Sequence, residues 1–102
     1  MNAFLDLETI KSATEQVCKA DVLSKNRKRE VVIAKKIYGI VARQCTDYNL
    51  EEIANYIKKD HATILHYQKS YNDWVFAPKV YNKELNLLRT CLLYTSPSPR
   101  DS

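Results

Sequence analysis

The sequence predicts an all-α protein, a small helical bundle in one domain. Its 102 residues suit a single domain with one core. One glycine and three prolines leave few residues for the tight turns that a sheet-rich fold needs. Apolar residues recur three and four positions apart along most of the chain, which is the spacing of a buried helix face.

The composition excludes several classes of protein. Charged residues make up 27% of the chain and hydrophobic residues 45%, as in soluble globular proteins. No apolar run approaches the roughly 20 residues that span a bilayer, and the N-terminus lacks the pattern of a signal peptide. Three widely spaced cysteines, Cys18, Cys45 and Cys91, fit neither a disulfide framework nor a zinc knuckle. We therefore expect a protein of the reducing cytoplasm, without a membrane partner.

The first half of the chain predicts two helices separated by a basic loop. The first helix is expected over Leu7–Lys19. Asp21 then caps a brief turn, the basic loop Ser24–Arg29 follows, and the second helix is expected over Glu30–Gln44. Gly39 lies inside this helix at a cost of about 1 kcal/mol relative to alanine, so either another helix packs closely there or the cost is tolerated. The apolar stripe of the second helix consists of Ile33, Ile37, Ile40 and Val41, with Val32 and Ala34 beside it.

The next two helices form a predicted helix-turn-helix. Asn49 is followed three residues later by Glu52, which is the spacing of a capping box, and a short helix is expected over Leu50–Ile57. Two lysines make a tight connection, and Asp60 is a strong N-cap for a helix expected over about His61–Tyr71. Two short helices joined by such a turn are typical of the helix-turn-helix. The predicted inner faces are Leu50, Ile53, Ala54 and Ile57 on the first helix, and Ile64, Leu65 and Gln68 on the second.

After these helices we predict a loop and one further helix. This last helix is expected to begin near Pro78, because proline is favoured at the first position of a helix. Trp74, Val75 and Phe76 are predicted to close the core.

The C-terminal residues differ in character from the rest of the chain. Residues 91–101, CLLYTSPSPRD, change abruptly to a Ser/Pro-rich composition. They also resemble the translation of a transposase adapter used in preparing sequencing libraries. We therefore predict a domain of residues 1–90 and an artefactual, disordered tail of residues 91–102.

Positive charge is concentrated in one segment of the chain. The formal net charge is +4, yet the block from Lys25 to Lys36, KNRKREVVIAKK, holds six basic residues and one acid. The rest of the chain is therefore close to neutral. A local basic block is expected of a nucleic-acid binder, although a lone basic run is also an ordinary solvated helix face.

The start of the second helix of the predicted helix-turn-helix, DHAT, suits contact with base edges in the major groove. Its short side chains allow close approach. The carboxylate of Asp60 can accept a hydrogen bond from cytosine N4, while Ala62 and the methyl group of Thr63 can pack on a thymine methyl group. The preceding lysines and the helix dipole favour a phosphate nearby.

The two histidines do not indicate a metal site or a catalytic site. His61 and His66 are five positions apart, so they do not share a helix face, and no cysteine lies near them at ligand spacing. A catalytic histidine needs a nucleophile and an orienting acid in a pocket, which Asp60 and Thr63 on one helix turn do not build. We expect no enzyme activity, no metal and no cofactor. His66, which follows Leu65, is either a partly buried packing residue or a DNA contact.

Two motifs, LSKNRKREVVIAKK and DHATILH, resemble the C-terminal DNA-binding domain of the bacterial replication initiator DnaA. The resemblance covers roughly Leu7 to Tyr71, including the long helix between the motifs. It implies a Trp-repressor-like helical bundle that binds double-stranded DNA sequence-specifically, at DnaA-box-like sites, in replication initiation or its regulation.

The resemblance also implies roles for individual residues. Arg27 matches the arginine that the family inserts in the minor groove, where a narrow A·T-rich groove attracts a cation. Asp60, His61, Ala62 and Thr63 match the family's major-groove readers. Phosphate contacts are expected at Lys25, Lys35, Arg43, Asn49 and Lys59.

The chain departs from this family in three ways. Ala62 stands where the family usually has Thr or Ser, and the turn YIKKD lacks the family's glycines and is one residue shorter. The family also carries an ATPase domain ahead of this one. Here Met1 lies a few residues before the first helix, and one glycine cannot supply a G-x-x-x-x-G-K loop. We expect a stand-alone module without ATPase activity that acts at the nucleoid as a monomer on DNA.

A second hypothesis assigns the chain to another class of protein. In it, the fold is a protein-interaction module that binds a replication protein through Trp74, Phe76 and the segment from Tyr81 to Leu88. A transcriptional regulator of a phage or mobile element is a further alternative.

Overall fold

The computed structural model describes residues 6–95, and these residues form five α-helices without a strand. The predicted all-α fold is therefore confirmed. None of the described helices is long and apolar enough to cross a membrane. The helices are α1 (Leu7–Cys18), α2 (Arg29–Cys45), α3 (Leu50–Tyr56), α4 (His61–Phe76) and α5 (Asn82–Thr95).

Helix α2 lies at the centre of the bundle and contacts the other four helices. Its predicted apolar stripe is buried, as is Ala34, whereas Val32 is exposed. Tyr38 on the same helix is fully buried, and its hydroxyl donates a hydrogen bond to the Ile53 carbonyl oxygen of α3 at 3.1 Å. The polar end of this buried ring is thereby satisfied.

Gly39 lies at a place where α2 and α4 pack closely. A Cβ atom at this position would lie 2.9 Å from Cδ2 of Tyr67 and 3.3 Å from Cδ1 of Ile64, both on α4. The first of these distances is shorter than normal contact, so a larger residue would push the helices apart. Close packing is therefore the reason for a glycine inside α2, and it sets the position of α4.

Helix α4 is longer than the sequence predicted. It continues past Tyr71 to Phe76, and Pro78 lies in a turn rather than at the start of α5. The physical reason is that no helix-breaking residue lies between Tyr71 and Phe76, and proline acts most directly on the residue before it, which here is Ala77. Helical spacing then buries Trp74 but leaves Val75 52% and Phe76 91% exposed, so the prediction that these two close the core is wrong.

Helix α5 crosses the predicted boundary at residue 90. It continues to Thr95, and Cys91 is fully buried with its Sγ atom 3.3 Å from Oγ1 of Thr14 on α1. The prediction of a disordered tail is therefore wrong for residues 91–95, because Leu88 and Cys91 continue one apolar helix face. Residues 96–102 lie outside the described part, and the adapter origin of residues 91–101 stays a prediction.

Candidate nucleic-acid interface

Helix α3 begins at the predicted capping box. The backbone N–H of Glu52 donates to Oδ1 of Asn49 at 2.8 Å, and the backbone N–H of Asn49 donates to Oε1 of Glu52 at 3.1 Å. At the other end of α3, the Tyr56 hydroxyl donates to the Glu8 carboxylate of α1. The capping box stabilises the start of α3, and the Tyr56–Glu8 contact links its other end to α1.

The turn between α3 and α4 is closed by backbone hydrogen bonds. The N–H groups of Lys58 and Lys59 donate to the carbonyl oxygens of Asn55 and Ala54, at 3.0 and 2.9 Å. Lys58 has a φ angle of 60°, in the left-handed region that favours glycine. Ile57 is buried beneath the turn while both lysines are exposed. The turn therefore presents two ammonium groups directly before α4.

Replacing Lys58 by glycine is expected to stabilise the protein relative to replacing it by alanine, although both changes remove the same charge. A left-handed conformation costs a non-glycine residue about 1–2 kcal/mol. Glycine also gives the unfolded chain more conformational freedom than alanine does, which offsets roughly 0.4–1 kcal/mol of this gain in stability. In urea denaturation, K58G should exceed K58A by about 0.5–1 kcal/mol in free energy of unfolding. At Lys59, which is not among the described residues with positive φ, the order should reverse; the same order at both positions would contradict this reasoning.

The N-terminus of α4 is capped by Asp60, as predicted. Its Oδ1 atom accepts hydrogen bonds from the backbone N–H and the side-chain hydroxyl of Thr63, each at 3.1 Å. The Thr63 N–H and hydroxyl lower the pKa of the Asp60 carboxyl. Asp60 is therefore a fixed carboxylate at neutral pH. His61 and Ala62 are exposed beside it, and Thr63 is half-buried.

The basic loop and the residues before it form successive short turns, each closed by a hydrogen bond from a backbone N–H to a side-chain oxygen. Asp21 accepts a hydrogen bond from the Leu23 N–H at 2.9 Å, as predicted for this turn. Oγ of Ser24 then accepts from the Asn26 N–H at 3.0 Å, and Oδ1 of Asn26 accepts from the Lys28 N–H at 2.9 Å. Such local bonds define the path of a loop without regular structure. They leave the basic side chains between Lys25 and Arg29 exposed.

The basic loop and the helix-turn-helix turn face each other across an open cleft of about 480 Å³. Burial and the neighbouring charge of Lys59 lower the pKa of Lys35, and Asp21 opposes this effect. Two ammonium groups from separate elements therefore repel each other here, which a bound anion would relieve. The basic residues that line the cleft are Lys25, Arg27, Lys35, Lys58 and Lys59, and the apolar ones are Leu23, Val32, Ile57 and Tyr67.

The structure groups some of the predicted site residues and separates others. Asp60 follows the cleft residue Lys59 directly. His61 instead borders a shallow concavity with Asn49 at the start of α3, while Arg43 is exposed in the last turn of α2. The cleft residues among the predictions are Lys25, Arg27, Lys35 and Lys59.

Sequence reasoning missed two features of this surface and left a third undecided. Lys58 lines the cleft but was not predicted as a site residue. Its position next to Lys59 was the signal that could have indicated it. The apolar lining of the cleft brings Leu23 and Val32 together with Ile57, the C-cap of α3, and Tyr67 of α4, which no local pattern could indicate. His66 is exposed, which disagrees with the partly buried packing role considered for it, and its role as a DNA contact stays a prediction.

Comparison with known proteins identifies the family. Residues 8–70 match the model for the bacterial DnaA protein helix-turn-helix, and this segment contains α2, α3 and the turn in full. The chain belongs to this family. The DnaA helix-turn-helix is thus the part of the fold that carries the basic loop, the cleft and the start of α4.

Individual relatives agree with this assignment. The chain is 33% identical over 91 residues to the chromosomal replication initiator protein DnaA of Bacteroides thetaiotaomicron, which covers 82% of this chain and 19% of the relative. It is 31% identical over 77 residues to the protein of the same name from Desulfotalea psychrophila, covering 76% and 16%. The chain thus spans about a fifth or less of the length of these DnaA proteins. No solved structure shows a significant match to it.

Proposed function

We propose that this DnaA-family chain binds double-stranded DNA sequence-specifically, at DnaA-box-like sites, in replication initiation or its regulation. The observation that supports this most strongly is the cleft in which the basic loop faces the turn before α4. One side of this surface offers an arginine on a defined loop, and the other offers an exposed helix start. A single stretch of duplex can meet such a pair in adjacent grooves.

The proposed base-reading roles rest on the family resemblance, and exposure and hydrogen-bonding capacity support them. In the proposal, Arg27 enters an A·T-rich minor groove. Asp60, His61, Ala62 and Thr63 face base edges in the major groove. The bond from the Thr63 hydroxyl to Asp60 holds both side chains at the helix start, and the exposed Ala62 leaves space for a base methyl group.

The proposed phosphate-binding roles rest on the family resemblance, and the distribution of charge supports most of them. Lys25, Lys35 and Lys59 line one cleft, and the mutual repulsion of Lys35 and Lys59 favours a phosphate between them. Arg43, exposed in the last turn of α2, and Asn49, beside the shallow concavity at His61, would contact further phosphates. Lys58 joins this set because it lies in the same cleft.

The proposal includes no catalytic step in this chain. A helix-turn-helix binds DNA without a bound nucleotide, and the single glycine of these 102 residues cannot form a phosphate-binding glycine loop. We propose binding as a monomer at the nucleoid, and no ATP hydrolysis by this chain.

The proposal is tested by selecting duplexes from a random pool on the purified chain. The expected result is one enriched site with an A·T-rich segment next to the major-groove contacts. A pool that stays random, while binding remains strong at low salt, would leave only attraction to phosphates and would contradict the proposal.

A second candidate function is a protein-interaction module, which the exposed Phe76 and Val80 favour. Of the residues first considered for this role, Trp74 and Leu88 are buried in the core and do not contribute surface. Capture of a replication protein that survives nuclease treatment and is lost in the F76S/V80S variant would support it.

A further inference from the structure

A buried carboxylate connects α5 to the end of the basic loop. Glu84 on α5 is only 6% exposed. Its Oε2 atom lies 3.5 Å from Nη2 of Arg29, the first residue of α2. Arg29 itself is largely exposed. A carboxylate loses much of its hydration on burial, so removing the partner that compensates for this loss is costly.

The end of the basic loop has little other support from side chains. Lys28 is the N-cap residue of α2, and its side chain makes no capping hydrogen bond within the described structure. The local turns of the loop end at the Lys28 N–H, one residue before Arg29. The ion pair therefore acts at the point where the loop passes into α2.

The other partner of this contact lies outside the segment that matches the family model. The match ends at residue 70, and α5 begins at Asn82. Helix α5 packs against α1 and α2, so Glu84 is held by the core rather than by the loop. A buried anion can thus orient an exposed cation.

We propose that Glu84 is a positioning residue for DNA recognition, acting through Arg29. The pair fixes the end of the loop and thereby the position of Arg27 two residues earlier. This inference rests on the proposed function, because it assigns a support to the loop that enters the minor groove.

The sign of the expected effect separates positioning from simple electrostatics. Glu84→Gln removes a negative charge and makes the chain one unit more positive. Attraction to phosphates alone would then strengthen DNA binding. Loss of positioning instead weakens binding to the selected duplex and leaves the scrambled duplex bound as well as before or better.

The test compares E84Q with E30Q, which removes a charge from an exposed acid in the first turn of α2. Using the full chain, we expect E84Q to lose about three- to tenfold in affinity for the selected duplex, while E30Q binds equally well or more tightly. Arg29→Lys keeps the charge and the ion pair, so it should bind nearly as wild type. The double variant Arg29→Gln/Glu84→Gln should bind the selected duplex about as weakly as E84Q, apart from the effect of losing one positive charge.

A measurement on the free protein tests the inference independently of DNA binding. In ¹⁵N relaxation of the free protein, the order parameters of residues 25–29 should fall in E84Q and stay unchanged in E30Q. Melting temperatures of both variants check that the fold is intact. Unchanged order parameters together with equal affinities in E84Q and E30Q would overturn the inference while leaving the proposed function standing. A wild-type chain with no preference for any duplex would overturn the proposed function itself.

Discussion

Replacing Arg27 by alanine is expected to weaken binding to the selected duplex by about 1–3 kcal/mol, or roughly 5- to 150-fold. The reason is that this exposed arginine lies on a loop supported by hydrogen bonds at Ser24 and Asn26 and, at its end, by the Glu84–Arg29 pair, so it enters the groove with little loss of freedom. The narrow A·T-rich groove then supplies a strong negative potential. Fluorescence anisotropy titrations of the wild type and the variant measure the difference.

The matched control is Arg89→Ala. Arg89 is exposed on α5 and does not line the cleft, yet its replacement changes the net charge by the same amount. We expect the control to lose little specific affinity. If both variants lost equal affinity for the selected and scrambled duplexes, Arg27 would act only through its charge.

The second large effect concerns the support of the recognition helix. Ile64→Ala should lower the free energy of unfolding by about 2–5 kcal/mol, because Ile64 is completely buried. Its Cδ1 atom lies against α2 at Gly39, so the cavity would open in the contact between the two helices. Urea denaturation measures the loss, which is a large fraction of the stability of a small domain.

The neighbouring residue provides the control for this prediction. Leu65→Ala removes a residue of equal size from the same helix, but Leu65 is 48% exposed. We expect it to cost less than about 1.5 kcal/mol, since it removes less apolar surface from the core. Equal losses in the two variants would contradict the packing of α4 described above.

Local hydrogen-bonding signals made the caps predictable from the sequence. Asn49 with Glu52, Asp60 and Asp21 all bond to backbone groups within three residues, so spacing alone indicated them. The end of α4 was misjudged because the stop signal near Pro78 is indirect and the polar residues before it are compatible with helix. Local propensity carries little information at such a point.

Contacts between distant parts of the chain could not be predicted. The sequence placed Lys35 and Lys59 in separate elements, and only the packing of α2 against α4 brings them to one cleft. The pairing of Arg29 with Glu84 spans 55 residues and depends on where α5 begins. The family resemblance implied roles for single residues, whereas the shape of the surface could be described only once the fold was known.

The central claim, sequence-specific DNA binding, is tested most directly by anisotropy with the full 102-residue chain. The selected duplex and a scrambled duplex of equal composition are titrated at two salt concentrations. We predict a preference of at least about tenfold, or about 1.4 kcal/mol, that persists at the higher salt. Equal affinities that fall together as salt rises would contradict the claim and would leave only the attraction of a basic surface to phosphates.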